Sequence, residues 1–314
     1  MALLGASGCG KSVTLKCIAG IMTPDRGHIM LDGETLFDSE KHIDLTPQKR
    51  QVGYLFQQYA LFPNMTVLQN IQCGIRSGSR AEKRRRAEEE LRRFRLEGLE
   101  KKYPAQLSGG QQQRTALAHI LASEPRAILL DEPFSALDGF LKWNLELELS
   151  DLLSDFGGPI LWVSHDLGEC RRNCQTVCVM ENGISGEITD MDTLLRHPAT
   201  VGAARLTGNA NFLSAAACSS GVKLDGWNIA LPLKAEAETA TVVIPEGAVT
   251  LGEGQYMALV YRVIRDLNGS VVLLRPADSA DAPFLRVRAP ENTAPEEGSR
   301  VAFSLLADKC LCYK

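Results

Sequence analysis

The chain has 314 residues, 45% of them hydrophobic, and a formal net charge of −4 at pH 7. That length accommodates two domains and a sizeable buried core. The slightly acidic balance excludes bulk attraction to nucleic acid or anionic lipid, and no apolar run reaches the roughly 18 residues of a membrane span.

The chain opens MALLGASGCGKSVTL. A small apolar start can mimic a secretion signal, but Lys11 falls inside what would be its apolar core, so a cytoplasmic protein is expected. Gly5-Ala6-Ser7-Gly8-Cys9-Gly10-Lys11-Ser12 fits the phosphate-binding pattern G-x-x-x-x-G-K-[ST] at every fixed position. Gly5, Gly8 and Gly10 let backbone N–H groups approach phosphate oxygens, with Ser7 and Cys9 in the same cradle. The helix predicted from Lys11 to Gly20 turns its positive end toward the same point. Lys11 is placed to reach the β and γ phosphates and Ser12 to ligate Mg²⁺. Taken alone, the pattern also fits a glycine-rich surface turn.

Further on, residues 80–97, RAEKRRRAEEELRRFRLE, form a highly charged helix. Its Arg and Glu blocks suit i,i+4 pairs on a solvated face, and their mutual cancellation argues against a nucleic-acid partner. Leu107-Ser108-Gly109-Gly110-Gln111-Gln112-Gln113-Arg114 reads as a second helix start, with Ser108 as N-cap and two glycines baring the backbone. It is a second anion-binding feature, and two copies of the chain could sandwich one γ phosphate between one feature from each.

Ala127–Leu130 and Ile160–Val163 are apolar without alternation, as strands covered on both faces are. Short strands alternating with helices mark a parallel α/β sheet. Leu129-Leu130-Asp131-Glu132 ends the first of these strands in two carboxylates. Asp131 is placed to hold the Mg²⁺ shell, and Glu132 to polarise a water toward the γ phosphate. A helix is predicted over Phe140–Phe156, stopped by Gly157-Gly158-Pro159. His165 follows the next strand at its carboxyl edge, where ligands of such sheets bind.

Nine cysteines without regular spacing suit a reducing compartment. Cys170, Cys174 and Cys178 recur every fourth residue, but Gln175–Met180 reads as a strand. The helical spacing therefore breaks, and thiols rather than a metal site are expected. From about Leu206 helical periodicity disappears. Val260–Arg265 and Val271–Leu274 flank Asp266-Leu267-Asn268-Gly269-Ser270, a hairpin signal. Residues 206–314 are read as a separate small β domain, barrel-like in character.

Together these motifs resemble the ATP-binding subunit of an ABC transporter, from Leu3 to about residue 205. LSGGQQQR resembles the family signature, ILLDEPFSALD its strand-and-carboxylate motif with the loop that follows, VGYLFQQYALFPNMTVLQNI its glutamine-loop region, and VSHD its switch histidine. The resemblance implies a P-loop NTPase fold with a RecA-like core and a helical subdomain over 1–205. A small all-β, OB-like or TOBE-type domain follows over 206–314. It implies ATP and Mg²⁺ as ligands, and a head-to-tail homodimer in which Ser108, Gly109 and Gly110 clamp ATP held by the other copy.

The same resemblance makes Glu132 the general base, makes His165 a sensor of the γ phosphate and puts Asp138 at the dimer interface. Gln57 would join the metal–water site to Tyr59-Ala60-Leu61-Phe62-Pro63, where membrane subunits dock, although Leu61 and Phe62 could instead be core. The implied partners are transmembrane permease subunits and, indirectly, a solute-binding protein. The location would be peripheral, on the inner face of the cell membrane. The detailed similarity is greatest to bacterial molybdate importers, with sulfate or thiosulfate next.

Three departures stand out. Val13 replaces the usual Thr, and His119 replaces the usual Arg of the signature helix. Family members begin with an antiparallel β layer that carries an adenine-stacking aromatic, and that layer is expected to be lacking here, as in a truncated gene or a misplaced start. Two other readings stay open. One is a soluble ABC-type ATPase uncoupled from transport, and the other is a truncated regulatory or oxyanion-binding product.

Overall fold

The computed structural model describes residues 1–134, 139–209, 211–234, 238–267, 269–279 and 281–314. The chain divides into two compact units, Met1–Met191 and Asp192–Lys314. The division precedes the compositional change near Leu206 because the intervening residues pack with the β strands that follow. Tyr313 Oη donates to Pro198 O at 2.7 Å, and Arg205 lies over the Phe212 ring at 5.0 Å.

The first unit opens with β1 (Ala2–Leu4), α1 (Lys11–Ala19), β2 (His28–Leu31), β3 (Glu34–Asp38), β4 (Ile43–Asp44), α2 (Pro47–Arg50) and β5 (Val52–Leu55). It continues with α3 (Val67–Gly74), α4 (Arg80–Arg93), α5 (Gly109–Ala122), β6 (Ala127–Asp131), α6 (Gly139–Leu153), β7 (Ile160–Val163), α7 (Leu167–Asn173), β8 (Thr176–Glu181) and β9 (Ile184–Asp190). Six strands form one sheet in the order β5-β6-β7-β1-β8-β9, parallel throughout except for β9. Every residue of β1 and β6 is buried, which is why neither strand alternates in sequence.

One core gathers α3, α4 and α5 around Ile71, Leu91, Phe94, Leu117 and Leu121 and continues through α6 to Leu55, Leu130 and Trp162 of the sheet. The charged helix ends at Arg93 rather than running to residue 97. Arg95 turns left-handed at φ 51° so that Phe94 and Leu96, 1% and 0% exposed, enter this core. Likewise α6 stops at Leu153, and Phe156 N–H closes back on Leu153 O at 3.0 Å.

A small antiparallel layer follows α1. The strands β2, β3 and β4 pair antiparallel in that order. Asp32 and Gly33 make the first turn with φ 49° and 81°, the pair of positive values that a two-residue hairpin requires.

The second unit begins within α8 (Met191–Arg196) and continues through α9 (Val201–Leu206), β10 (Asn211–Cys218), β11 (Gly221–Leu224), β12 (Ala230–Leu231), β13 (Thr239–Ile244), β14 (Val249–Asp266), β15 (Gly269–Arg275), β16 (Leu285–Ala289), β17 (Arg300–Leu305) and β18 (Leu311–Tyr313). It holds two antiparallel sheets, β12-β11-β10-β13-β18 and β16-β15-β14-β17. Trp227 and Phe303 meet edge-to-face at 5.7 Å in their shared core. The hairpin forms where expected, with Asp266 opposite Gly269, while Asn268 lies outside the described residues. The 18-residue β14 keeps pairing by means of irregularities between Leu251 and Tyr256 and between Val260 and Arg262. Among the described residues, no helix is long and apolar enough to cross a membrane.

Candidate functional site: a phosphate loop at the strand ends

The strand order brings separated segments to one edge. β5, β6, β7 and β1 are neighbours and point the same way, so the residues after each strand emerge side by side. After β1 comes the Gly5–Ser12 loop, after β5 Gln57, after β6 Glu132 and after β7 His165. In parallel sheets this carboxyl edge is where ligands bind.

The loop is held closely against β8. A Cβ on Gly5 would fall 2.4 Å from Met180 O and 2.6 Å from Cys9 Sγ, so only glycine fits. Ser7 and Gly8 are exposed, whereas Cys9 is buried. Gly10 is the N-cap of α1 at φ 107° and contributes no side-chain cap, leaving the first N–H groups of the helix for another acceptor. Lys11 is 5% exposed and donates to Gly5 O at 2.8 Å and Ala6 O at 2.9 Å. Its ammonium is thereby kept within the loop that its charge would serve. Val13 points outward, 50% exposed.

Ser12 Oγ donates to Asp131 Oδ1 at 2.8 Å across 119 residues of chain. An octahedral Mg²⁺ with ligands at about 2.0–2.1 Å sets adjacent oxygens about 2.9 Å apart. The hydroxyl and carboxylate thus fit adjoining positions of that shell, and both are the hard oxygen donors it takes. Tyr54 Oη donates to the other carboxylate oxygen, Asp131 Oδ2, at 2.7 Å. Burial, and then the bond to Asp131, push the Tyr54 hydroxyl well above its ordinary pKa, so it stays a donor. Sequence reasoning missed Tyr54. Its only signal is an aromatic hydroxyl in the strand beside Asp131, legible once β5 is known to pair with β6.

Glu132 leaves β6 with φ 48°, a strained left-handed turn for a non-glycine residue, while its N–H donates to Val163 O at 3.0 Å. This turn carries the side chain toward β7, where Glu132 Oε2 lies 3.5 Å from His165 Nδ1. The imidazole is 63% exposed, open to whatever occupies the edge. Gln57 is exposed in the turn after β5.

A second missed residue closes the opposite end of α1. Arg50 is fully buried and donates to Cys17 O and Ile18 O at 2.6 and 2.9 Å, to Leu45 O at 2.7 Å and to Asp44 Oδ1 at 2.8 Å. A cation on terminal helix carbonyls answers the macrodipole and anchors the phosphate-loop helix from behind.

Ser108, Gly109 and Gly110 start α5 on the helical subdomain. Ser108 Oγ accepts Gln111 N–H at 3.3 Å, and Gln111 Oε1 accepts Ser108 N–H at 3.0 Å, a complete capping box. Among the described residues Ser108 makes no hydrogen bond to the phosphate loop of its own chain. Asp138 lies outside the described residues. The 59–63 segment is divided: Tyr59 and Leu61 pack on the helical core, whereas Phe62 is 48% exposed.

Residues 1–135 match the family described as ABC transporter. The sulfate/thiosulfate import ATP-binding protein CysA 2 of Rhizobium meliloti is 34% identical over 320 residues, covering 96% of this chain and 83% of that protein. The chain belongs to the ABC transporter ATP-binding family. The putrescine transport ATP-binding protein PotG of Escherichia coli is 38% identical over 246 residues, and the match spans 77% of this chain and 64% of that one. The chain thus spans less than two thirds of this family member.

Two solved family cassettes share the fold. A dimeric ATP-binding cassette in a post-hydrolysis state, bound to ADP and Pi, is 31% identical with a TM-score of 0.51, covering 60% of this chain and 84% of that one. The cbiO1 protein of Clostridium perfringens is 29% identical with a TM-score of 0.54, covering 62% and 78%. ABC ATPases bind ATP as a family.

Proposed function

We propose that the chain is the ATP-hydrolysing subunit of an ABC importer for an oxyanion, with the ATP-binding domain in residues 1–205 and the β domain in 206–314. The observation that carries this reading is the convergence of four chemically matched segments on neighbouring strand ends. The loop N–H groups of Gly5, Ser7, Gly8, Cys9, Gly10, Lys11, Ser12 and Val13 hold the phosphates, and Lys11 neutralises β and γ oxygens. Ser12, Asp131 and Gln57 would hold Mg²⁺, which would offset the negative charge that develops on the transferred phosphate. Glu132 takes a proton from the attacking water. His165, in contact with Glu132, donates to the γ phosphate and registers its loss.

Dimerisation head to tail would bring Ser108, Gly109 and Gly110 of a second copy onto the γ phosphate, with Asp138 at the interface. The exposed phenyl ring of Phe62, five residues after Gln57, suits a permease contact, and such a contact would hold the protein at the inner face of the cell membrane. A solute-binding protein would deliver the cargo from the other side.

The oxyanion reading is favoured by CysA 2, named for sulfate and thiosulfate, which matches nearly the whole chain. Molybdate is a second tetrahedral dianion of the same class. The similarity to PotG favours a polyamine as the alternative cargo. Glu132→Gln is expected to abolish Mg-ATP turnover while leaving ATP binding intact and trapping the dimer, read by phosphate release and by size-exclusion chromatography with ATP. Normal hydrolysis by that variant would overturn the assignment. Uptake of labelled sulfate, molybdate and putrescine by cells with and without the gene separates the cargoes.

A further inference from the structure

We infer that Lys142 is a positioning residue that holds His165 against Glu132, a role that rests on the chain being an ATPase. Lys142 stands in the first turn of α6, where a cation runs against the helix macrodipole, so the helix itself does not account for it. Its side chain is only 19% exposed, and its partners lie at the start of α7, the helix that follows His165. Lys142 Nζ donates to Asp166 Oδ2 at 2.6 Å and lies 3.0 Å from Glu169 Oε2. Burial alone would lower its pKa, but the two carboxylates outweigh that and raise it, so the ammonium stays charged.

These contacts fix the turn that carries His165. On its amino side Ser164 is 2% exposed, and its Oγ accepts Asp166 N–H at 3.0 Å across the histidine. Asp166 Oδ1 accepts Glu169 N–H at 3.0 Å, which caps α7, while Lys142 holds the other oxygen. Glu169 is 2% exposed, and its Oε1 accepts Trp162 Nε1–H from β7 at 2.6 Å. Strand, turn and helix are thereby tied to one another, and Lys142 adds a tie from α6. Being 63% exposed, the imidazole has little packing of its own to aim it. Its 3.5 Å approach to Glu132 therefore depends on the backbone that Lys142 steadies.

A second ion pair joins the same two helices one turn further on. Arg172 Nε and Nη2 donate to Glu146 Oε1 and Oε2 at 2.7 and 2.8 Å, and Asn173 Nδ2 donates to Oε1 at 2.6 Å. Glu146 is buried, 3% exposed. This pair fastens α6 to α7 as Lys142 does, but among the described residues Arg172 makes no hydrogen bond to the 164–166 turn. Lys142 thus differs from Arg172 in reaching the residue next to His165. Through it a displacement of the turn also passes to α6, whose start follows Asp138 directly.

The test compares Lys142→Met with Arg172→Met in the full chain. Each variant breaks one ion pair between α6 and α7, and denaturant unfolding puts their stability losses on one scale. Lys142→Met is expected to lower kcat for Mg-ATP about 10–100-fold with KM nearly unchanged, because the misplaced group acts in the chemical step. Arg172→Met should keep kcat close to that of the wild type. Lys142→Arg, whose fork can reach both carboxylates, should recover most of the loss. A readout independent of turnover comes from nucleotide-free protein carrying ¹³C-labelled histidine. The His165 imidazole signals, assigned with His165→Asn, should shift in Lys142→Met and stay in place in Arg172→Met. A wild type without ATP turnover would strike the ATPase reading, and these signals would still decide the role of Lys142. Unmoved His165 signals in Lys142→Met, or kcat losses that merely track stability in the two variants, overturn it.

Discussion

Two helix starts in this protein treat their own polar groups in opposite ways. At α1 the N-cap is Gly10, which offers no side-chain acceptor, and the first-turn N–H groups stay bare. At α5 the N-cap is Ser108, and the capping box with Gln111 satisfies the start from within. The comparison teaches that a helix end without a side-chain cap leaves its first N–H groups open to another acceptor and is stabilised from elsewhere. For α1 that support is Lys11 on the loop carbonyls and Arg50 on the far-end carbonyls. The α5 start, by contrast, is satisfied by its own capping box without any partner. Since the Ser108 hydroxyl acts as acceptor in its cap, its proton remains to be donated outward.

Breaking the bare end should produce the largest effect. Lys11→Ala is expected to weaken Mg-ATP binding about 10²–10³-fold, measured with a fluorescent nucleotide, while the fold persists. Removing the remote support comes next. Arg50→Leu leaves the Cys17, Ile18 and Leu45 carbonyls without their buried donor and should cost roughly 3 kcal/mol in denaturant unfolding. At the capped end, Ser108→Ala should lower stability by about 1 kcal/mol and Ser108→Gly by only a few tenths. Equal losses of turnover in these two variants would separate the clamp from the cap, whereas turnover that tracks stability would collapse the contrast.

The smallest effect concerns a third helix start. Asp166 caps α7, with Oδ1 accepting Glu169 N–H at 3.0 Å and Oδ2 accepting Lys142 Nζ at 2.6 Å. Partial burial raises its pKa, but the Lys142 bond and the helix N–H outweigh that and hold the carboxyl below its ordinary 3.8. A depressed folded pKa stabilises above the unfolded value and loses that stabilisation as pH falls through the folded one. Wild-type stability should therefore drop below about pH 4 more steeply than that of Asp166→Asn. The difference stays under about 1 kcal/mol because the carboxylate is 38% exposed and screened.

Legibility in the sequence followed locality. The phosphate loop, LSGGQ and the strand-end carboxylates are contiguous runs, and the parallel sheet announced itself in uniformly apolar strands. Arg50 and Tyr54 gave no such sign, because each acquires its meaning from partners brought close by topology: Arg50 from Cys17 and Ile18, Tyr54 from Asp131. The β2–β3 hairpin was readable in Asp32-Gly33 and was passed over. Arg95 ended α4 early for a reason that charge patterning does not carry, namely the pull of Phe94 and Leu96 into the helical core.

The three-residue β1 lies between two parallel neighbours, β7 and β8, and runs directly into the phosphate loop at Gly5. Its hydrogen bonds to both neighbours are loaded in shear when the amino end is pulled along the strand, so they resist together and yield together. Tension applied there would reach Gly5 through a single short rod, so the Gly5–Ser12 loop would register a mechanical load as soon as β1 slips.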